Sequence, residues 1–384
     1  MTARVLHVVP SMDVAAGGPP VVVDRLMQQA PQQGYEACVL SVETCAGVLG
    51  QGVLSAPAET FAVPSQLRAL VGTSYRQVRA AVEHADVVHL HTIWSPLVAS
   101  AARVASSARI PYVLSPHGML DPWSVSQKAL KKKLYWHLLE RSVVGGAASL
   151  VFTSDLERDL AFGVAAGVNA SRVIPLGADI PPAKRTALAA GFFREHPELD
   201  GHPIMVYLGR LHPKKRPEAI IDAMPGLLAA VPDARAVFVG TGDKKTTGSL
   251  HARVHARGVA HAVSFLGQLT GLAKWQALAA ATAFVLPSRQ ENFAIAVAEA
   301  LRIGVPVLIT RSVNIWREIH AADCGILLNE SELSTSIAAA MTRLVAEPTL
   351  ATSMSRNATT LAEGKFTWER CARAMHALYD DVLH

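Results

Sequence analysis

Two carboxylates, Glu291 and Glu299, stand eight residues apart in the stretch LPSRQENFAIAVAEALRIGVPVLIT, Leu286 to Thr310. The apolar run ahead of them, Ala283 to Leu286, has the length and composition of a buried strand. After a polar turn the spacing predicts a helix from about Phe293 to Arg302, closed by Gly304 and Pro306, then a strand from Val307 to Ile309. Eight residues of helix rise about 12 Å, at roughly 1.5 Å each. Carboxylates that far apart suit gripping both ends of an extended ligand better than sharing one proton. Between them the free N–H groups of Phe293, Ala294 and Ile295 would form a helix N-terminus, a site for a phosphate. Such a ligand has hydroxyls at both ends and a diphosphate in the middle, which is the shape of a nucleotide sugar. The plainer reading is an amphipathic helix with two solvated glutamates.

A second cluster points the same way. The run IMVYL, Ile204 to Leu208, reads as a strand, and Gly209-Arg210-Leu-His212-Pro-Lys214-Lys215-Arg216-Pro217 follows it before a helix from Glu218 to Ala230. Five basic or imidazole groups within seven residues, between a strand end and a helix start, concentrate positive charge where a diphosphate would dock. Arg210 offers a planar fork and Lys215 a point charge. A solvated basic turn is the alternative.

The first half supplies further strand ends. Runs at 4–10, 36–42, 86–91, 112–115, 150–153 and 172–175 read as parallel strands, with helices at 21–33, about 67–83 and 155–163 between them. Open α/β sheets place their ligands at strand carboxyl ends. Here those ends carry Gly17-Gly18, His91-Thr-Ile-Trp94 and His117-Gly-Met-Leu-Asp121. The segment 126–141 reads as one amphipathic helix with lysines 128 and 131–133 beside Leu130, Leu134, Tyr135 and Leu138. That composition suits a membrane surface, or a solvated helix packing its apolar side on the domain.

With these motifs in view, ENFAIAVAE resembles the Glu-x7-Glu signature of the retaining glycosyltransferases of family four, which have the GT-B fold. The resemblance implies an α/β protein of two doubly wound, Rossmann-like domains facing across a cleft. It gives Glu291 the donor sugar hydroxyls and Glu299 the ribose, with Asn292, Phe293, Ala294 and Ile295 at the donor between them. Family members most often carry Gly where this chain has Ala294, whose methyl would narrow the sugar pocket. Gly209-Arg210 and Lys215 match the family's pyrophosphate-neutralising pair, and Gly17-Gly18 resemble its paired glycines at the donor. His117 falls at the reaction centre, with Asp121 orienting it or the acceptor and Trp94 on the acceptor side. Front-face transfer follows from the resemblance, in which the leaving phosphate oxygen takes the acceptor proton. The resemblance requires no cofactor and no metal, and the chain has no Asp-x-Asp clasp. The wording HGMLDPW is similar to that of bacterial enzymes building exopolysaccharide or lipopolysaccharide. It implies a saccharide or lipid-linked oligosaccharide acceptor.

The elements divide into an N-terminal domain at 1–182, a nucleotide-sugar domain at 183–365 and a returning helix at 366–384, with the linker placed in the proline-containing stretch after Ile180. At 384 residues with 50% hydrophobic and 17% charged content, the chain is globular and large enough for two cores. A net charge of +5 suits anionic small ligands or an anionic membrane surface, and it is no nucleic-acid signature. Four cysteines without metal or disulfide spacing fit a reducing cytosol, and with no secretory signal and no membrane-length apolar run the expected location is the cytoplasm, the basic segment 126–141 suiting the cytosolic face of the inner membrane. Two other functions share these features. One is a sugar-nucleotide isomerase, which needs an acid/base pair not found here, and the other is a transferase-like scaffold that binds without turnover.

Overall fold

The structure, a computed structural model, describes residues 2–13, 17–42, 60–63, 65, 72–163 and 170–384. Cys45 and the start of the helix expected at about 67–83 lie outside them. The chain forms two units, Met1–Leu176 together with Trp368–His384, and Gly177–Thr367.

The first unit is built on a parallel sheet of seven strands: β1 Arg4–Val8, β2 Glu36–Val42, β3 Thr60–Val63, β4 Val87–His91, β5 Tyr112–Ser115, β6 Ser149–Phe152 and β7 Ser171–Val173. Their order is β3-β2-β1-β4-β5-β6-β7. The central strands are buried on both faces, as helical crossovers require, so they read as apolar runs rather than alternations. Val5, Leu6, Val87, Val88 and Leu90 have no exposed surface. Each such side chain contributes about 1.5–3 kcal/mol. Strand order reverses between β1 and β4, which opens the ligand crevice at their carboxyl ends. The terminal helix, Trp368–Leu383, belongs to this unit and packs on the helix Gly18–Gln33. Its buried Cys371, Met375, Leu378 and Tyr379 recur at helical spacing.

The second unit has six parallel strands, β8 Ile204–Leu208, β9 Arg235–Val239, β10 Val263–Gly267, β11 Ala283–Leu286, β12 Val307–Ile309 and β13 Gly325–Leu327, in the order β10-β9-β8-β11-β12-β13. Here the order reverses between β8 and β11. The basic loop follows β8 and the glutamate turn follows β11, so the two candidate stretches meet at the topological switch point.

Several expectations change. The stretch expected to be linker folds into the second unit, with a helix at Arg185–Glu195 whose Arg185 guanidinium donates to the carbonyls of Ala279, Ala281 and Gly304. The helix expected from about Phe293 starts at Ile295; Glu291 lies ahead of it, as expected, in an isolated bridge to Val313, so the helical rise does not measure its separation from Glu299. The helix expected over 126–141 starts only at Ala129, after a separate short helix Pro122–Ser126, and then runs unbroken to Gly145 through a π turn at Trp136–Glu140. Lys128, left-handed at φ 56°, separates the two. Trp136 and Leu139 pack toward the core, while Leu130, Leu134 and Leu138 stand 87%, 63% and 67% exposed. Among the described residues no helix is long and apolar enough to cross a membrane.

Candidate functional site

In the second unit the loops after β8, β9 and β10 are tied together through their backbones. Gly209 N–H donates to Val239 O, Leu211 N–H to Thr241 O and Gly240 N–H to Gly267 O. Gly240 lies at φ 139°, and a Cβ there would meet Gly209 O at 2.0 Å, so only glycine permits this approach. The basic groups carried by this frame have different jobs. Arg216 is structural: its guanidinium donates to Pro287 O at 2.6 Å and Ser288 O at 3.1 Å and pairs with Glu330 at 2.7 Å, pinning the glutamate turn to the basic loop. His212 accepts from Lys214 N–H and caps the short turn Pro213–Lys215. Arg210 is exposed and makes no side-chain hydrogen bond or ion pair among the described residues.

Lys215 and Glu291 are brought together. The Lys215 Nζ lies 2.6 Å from Glu291 Oε1, with 19% and 13% of the two side chains exposed. Ser288 Oγ donates to the same oxygen at 3.2 Å. The Glu291 backbone is held in turn, its N–H donating to Ser312 O and its carbonyl accepting from Asn314 N–H. The cation and the carboxylate expected at separate parts of a ligand therefore start as partners. Glu299 is likewise paired, with Lys274 at 2.5 Å, a lysine that sequence reasoning missed because nothing in its helix Gly271–Ala280 marks it.

Ala294 occupies the N-cap position of the helix Ile295–Arg302 with φ 61° and ψ 73°. That left-handed geometry explains the glycine the resemblance associates with this position. A Cβ costs roughly 1–2 kcal/mol there, so the methyl stores backbone strain rather than merely filling a pocket. Phe293 is buried edge-on against Phe366 at 5.3 Å, and this fixes the turn ahead of the helix amides.

In the first unit the candidate residues gather at the ends of β1, β4 and β5. Gly17 precedes the helix Gly18–Gln33 at φ 111°, a conformation that favours glycine, whereas a Cβ on Gly18 would meet nothing within 4 Å. His117 is left-handed at φ 50° with Gly118 at φ 75°. The buried Glu157 holds this loop by accepting Gly118 N–H at 2.6 Å while also accepting the Thr153 amide and hydroxyl. His117 Nε2 shares a proton with His91 Nδ1 at 3.1 Å, and His91 Nε2 with His7 Nδ1 at 3.0 Å. His89 is bonded through both nitrogens, to Tyr379 OH at 2.7 Å and Ser115 Oγ at 2.8 Å. Burial holds His7 down to about 3 and His117 to about 4, and desolvation followed by the neighbouring histidines keeps His89 and His91 well below the ordinary value. His7, His89 and His91 offer nitrogens within 4.8 Å of one another. All but His7 Nε2 are committed to hydrogen bonds, so the group is a neutral stack that orients His117.

Asp121 is 7% exposed and accepts Trp123 N–H at 2.8 Å as the N-cap of Pro122–Ser126, so its carboxylate is engaged in fixing the loop. Thr92 and Trp94 are both left-handed, at φ 72° and 64°, and Trp94 N–H donates to Glu140 Oε1 at 2.8 Å. Sequence reasoning missed Glu140, which is fully buried in the π turn.

Comparison with known proteins fits this geometry. Residues 17–177 match the Glycosyl transferase 4-like domain, and residues 191–361 match the family Glycosyl transferases group 1. A D-inositol 3-phosphate glycosyltransferase of Corynebacterium jeikeium is 26% identical over 96% of this chain and 92% of its own. The lipopolysaccharide core biosynthesis mannosyltransferase LpsB of Rhizobium meliloti is 30% identical over 46% of this chain and 50% of its own. Among solved structures, Anabaena HepE in complex with UDP and glucose superposes with a TM-score of 0.81 at 20% identity, covering 99% of this chain and 100% of HepE. Two parallel-sheet units, the switch-point loops and these matches along most of its length make one conclusion: this chain belongs to the group 1 glycosyltransferases, with the GT-B fold.

Proposed function

We propose that the protein transfers a hexose, with retention of configuration, from a nucleotide-diphosphate sugar to a saccharide acceptor carried on a lipid, in the synthesis of a bacterial surface polysaccharide. The observation that carries this reading is the switch-point loop pair: the loop that carries the exposed Arg210 also carries Lys215, whose ammonium pairs with Glu291 ahead of the helix Ile295–Arg302. A diphosphate placed there takes Arg210, draws Lys215 from Glu291 and accepts the first helix amides. Glu291, released from its cation, is then free to accept donor sugar hydroxyls, and Glu299 with Lys274 holds the ribose end. These cations stabilise the charge that develops on the leaving diphosphate, the largest catalytic term in sites of this kind. His117 is neutral and pre-oriented, suited to a hydrogen bond with the sugar or acceptor rather than to carrying charge. No metal is needed in this scheme, because Arg210 and Lys215 supply the positive charge.

The UDP and glucose bound to HepE support a nucleotide-sugar donor, and the names of LpsB and of mannosyltransferases acting on phosphatidylinositol mannosides support a saccharide or lipid-linked acceptor. The exposed leucines at 130, 134 and 138, with Lys128, Lys131 and Lys133 exposed among them, support docking on the cytosolic face of an anionic membrane. The test is a transfer assay with UDP-, GDP- and ADP-hexoses in the presence of EDTA, with the product anomer read by proton NMR. Retention with one nucleotide family supports the reading. Inversion, or strict dependence on added metal, overturns it.

A further inference from the structure

Of the four histidines on β1, β4 and the loop after β5, His7, His91 and His117 form one hydrogen-bonded line. His7 Nδ1 lies 3.0 Å from His91 Nε2, and His91 Nδ1 lies 3.1 Å from His117 Nε2. His89 stands outside the line, held by Tyr379 OH at 2.7 Å and Ser115 Oγ at 2.8 Å. Its ring stacks on His91 with centroids 4.0 Å apart. That packing keeps the His91 ring from turning, so both of its nitrogens stay in the line. The two ends of the line differ. His7 Nε2 is buried and has no partner among the described residues. His117 Nδ1 makes no hydrogen bond among them either, but His117 is only half-buried and this nitrogen is open.

Burial holds His7 near 3, His117 near 4 and His91 well below the ordinary value, so each ring is neutral and carries one N–H. A line of three neutral imidazoles has two arrangements. In one, His117 Nε2–H donates to His91 and His91 Nε2–H to His7, which leaves His7 with a buried, unmet Nε2–H. In the other, His7 Nδ1–H donates to His91 and His91 Nδ1–H to His117, and the unmet atom on His7 is a bare ring nitrogen. In folded backbones a buried N–H without an acceptor is rarer than an under-used acceptor, and the same preference selects the second arrangement.

We propose that His7 and His91 are positioning residues that fix His117 as its Nδ1–H tautomer, so that the open edge of His117 is a standing hydrogen-bond donor to an oxygen of the reacting sugars. This rests on the transferase reading above and adds to it how His117 acts. A ring whose open nitrogen already carries the proton donates to a hydroxyl or a leaving oxygen but takes no proton, so His117 is not the general base. The attacking hydroxyl's proton passes instead to the departing diphosphate oxygen, as the sugar C1–O bond to diphosphate breaks and the bond to the acceptor oxygen forms.

The test reads the tautomer directly, with no substrate present. Long-range nitrogen–proton NMR of the full chain with isotope-labelled histidine, at mildly alkaline pH, distinguishes Nδ1–H from Nε2–H rings. The His117 pattern is assigned by its loss in His117→Gln. The wild type should show His117 as Nδ1–H. His7→Met leaves a weak acceptor and no donor at the head of the line, so the line should reverse and His117 should show Nε2–H. Tyr379→Phe is the structural control: it removes a buried bond of the stack without touching the line, so the His117 pattern should stay as in the wild type. For the nucleotide hexose turned over in the transfer assay, His7→Met should lower kcat about tenfold with little change in KM, the effect of one lost hydrogen bond. The proposal is overturned if wild-type His117 is Nε2–H or mixed, if His7→Met leaves the pattern unmoved, if Tyr379→Phe reverses it, or if a reversed tautomer leaves kcat unchanged. Nucleotide-induced thermal stabilisation keeps the two readings apart. Its absence counts against the transferase reading, while the tautomer measured without substrate decides the role of His7 and His91.

Discussion

Replacing Lys215 by Met removes the cation 2.6 Å from Glu291 but keeps the aliphatic stem, which runs past Gly209 close enough that a Cβ there would lie 3.5 Å from its Cδ and Cε. Glu291 is then a carboxylate with 13% of its side chain exposed and Ser288 Oγ at 3.2 Å beside it. Breaking a fully buried pair from one side costs about 3–5 kcal/mol, and the residual exposure and the serine reduce this to about 2–3 kcal/mol. The double variant Lys215→Met with Glu291→Gln leaves no bare charge and should lose less than about 1 kcal/mol. A double-mutant cycle by urea denaturation without ligand should therefore give a coupling near 2 kcal/mol. Arg210→Ala is the contrast. It touches an exposed group without partners, so stability should change by no more than about 0.5 kcal/mol, while turnover falls about 10²–10³-fold. If Lys215→Met is as stable as the wild type and the cycle is additive, the pair holds no energy and the partner exchange on diphosphate binding is wrong.

Ala294→Gly relieves the left-handed strain of roughly 1–2 kcal/mol against a chain-entropy cost of about 0.5–1 kcal/mol. The second unit should gain about 0.5–1 kcal/mol in urea denaturation, and a loss would show that φ 61° is not strained. His7, His89, His91 and His117 stay neutral when folded but take protons near 6.5 when unfolded. Stability should be flat with respect to them above pH 6.5 and fall below it, by about 2 kcal/mol at pH 5 for each of His7 and His117 and in the same direction for His89 and His91, and a thermal midpoint unchanged from pH 7 to 5 would contradict the stack. Glu140 has the opposite sign: burial raises its carboxyl to about 7, against the backbone amides of Trp94 and Ser95 that pull it down. Its ionisation costs nothing below about 4.5 and reaches about 3 kcal/mol above pH 7, so Glu140→Gln should stabilise at pH 8 and not at pH 4. The triple change of Leu130, Leu134 and Leu138 to Ser should abolish sedimentation with anionic phosphatidylglycerol vesicles with little change in the thermal midpoint, since these side chains stand mostly exposed. Undiminished sedimentation would remove the membrane-facing role.

The parts of the site that were legible in the sequence are those whose signal is local. The run AFVL before a polar turn and the exit GVPVLIT marked β11 and β12 because parallel strands buried on both faces are written as apolar runs. The basic loop and Glu291 with Glu299 stood out by residue type and spacing alone. Long-range partnerships were not legible. Lys274 reaches Glu299 from 25 positions away and Glu140 reaches Trp94 from 46, and neither distance leaves a periodic trace. Arg216 looked like another phosphate cation, and only the structure shows its guanidinium spent on Pro287, Ser288 and Glu330. The helix Pro348–Lys365 was missed because its buried face is Met354, Ala358 and Ala362, small residues in a Thr- and Ser-rich segment with little hydrophobic contrast. The histidine stack could have been found. His89 and His91 alternate onto one face of β4, and His7 on β1 is the register partner of His89.

The measurement that bears most directly on the account is thermal stabilisation by UDP, GDP and ADP and their hexose derivatives, in EDTA, for the wild type, Arg210→Ala and Lys215→Met. A ligand at a hundred times its dissociation constant stabilises the native state by about 2.7 kcal/mol. One nucleotide family should raise the wild-type midpoint by several degrees, with the rise reduced in both variants whatever their own starting midpoints. No rise with any nucleotide, or an equal rise in all three proteins, would contradict a diphosphate site at the switch point of the second unit.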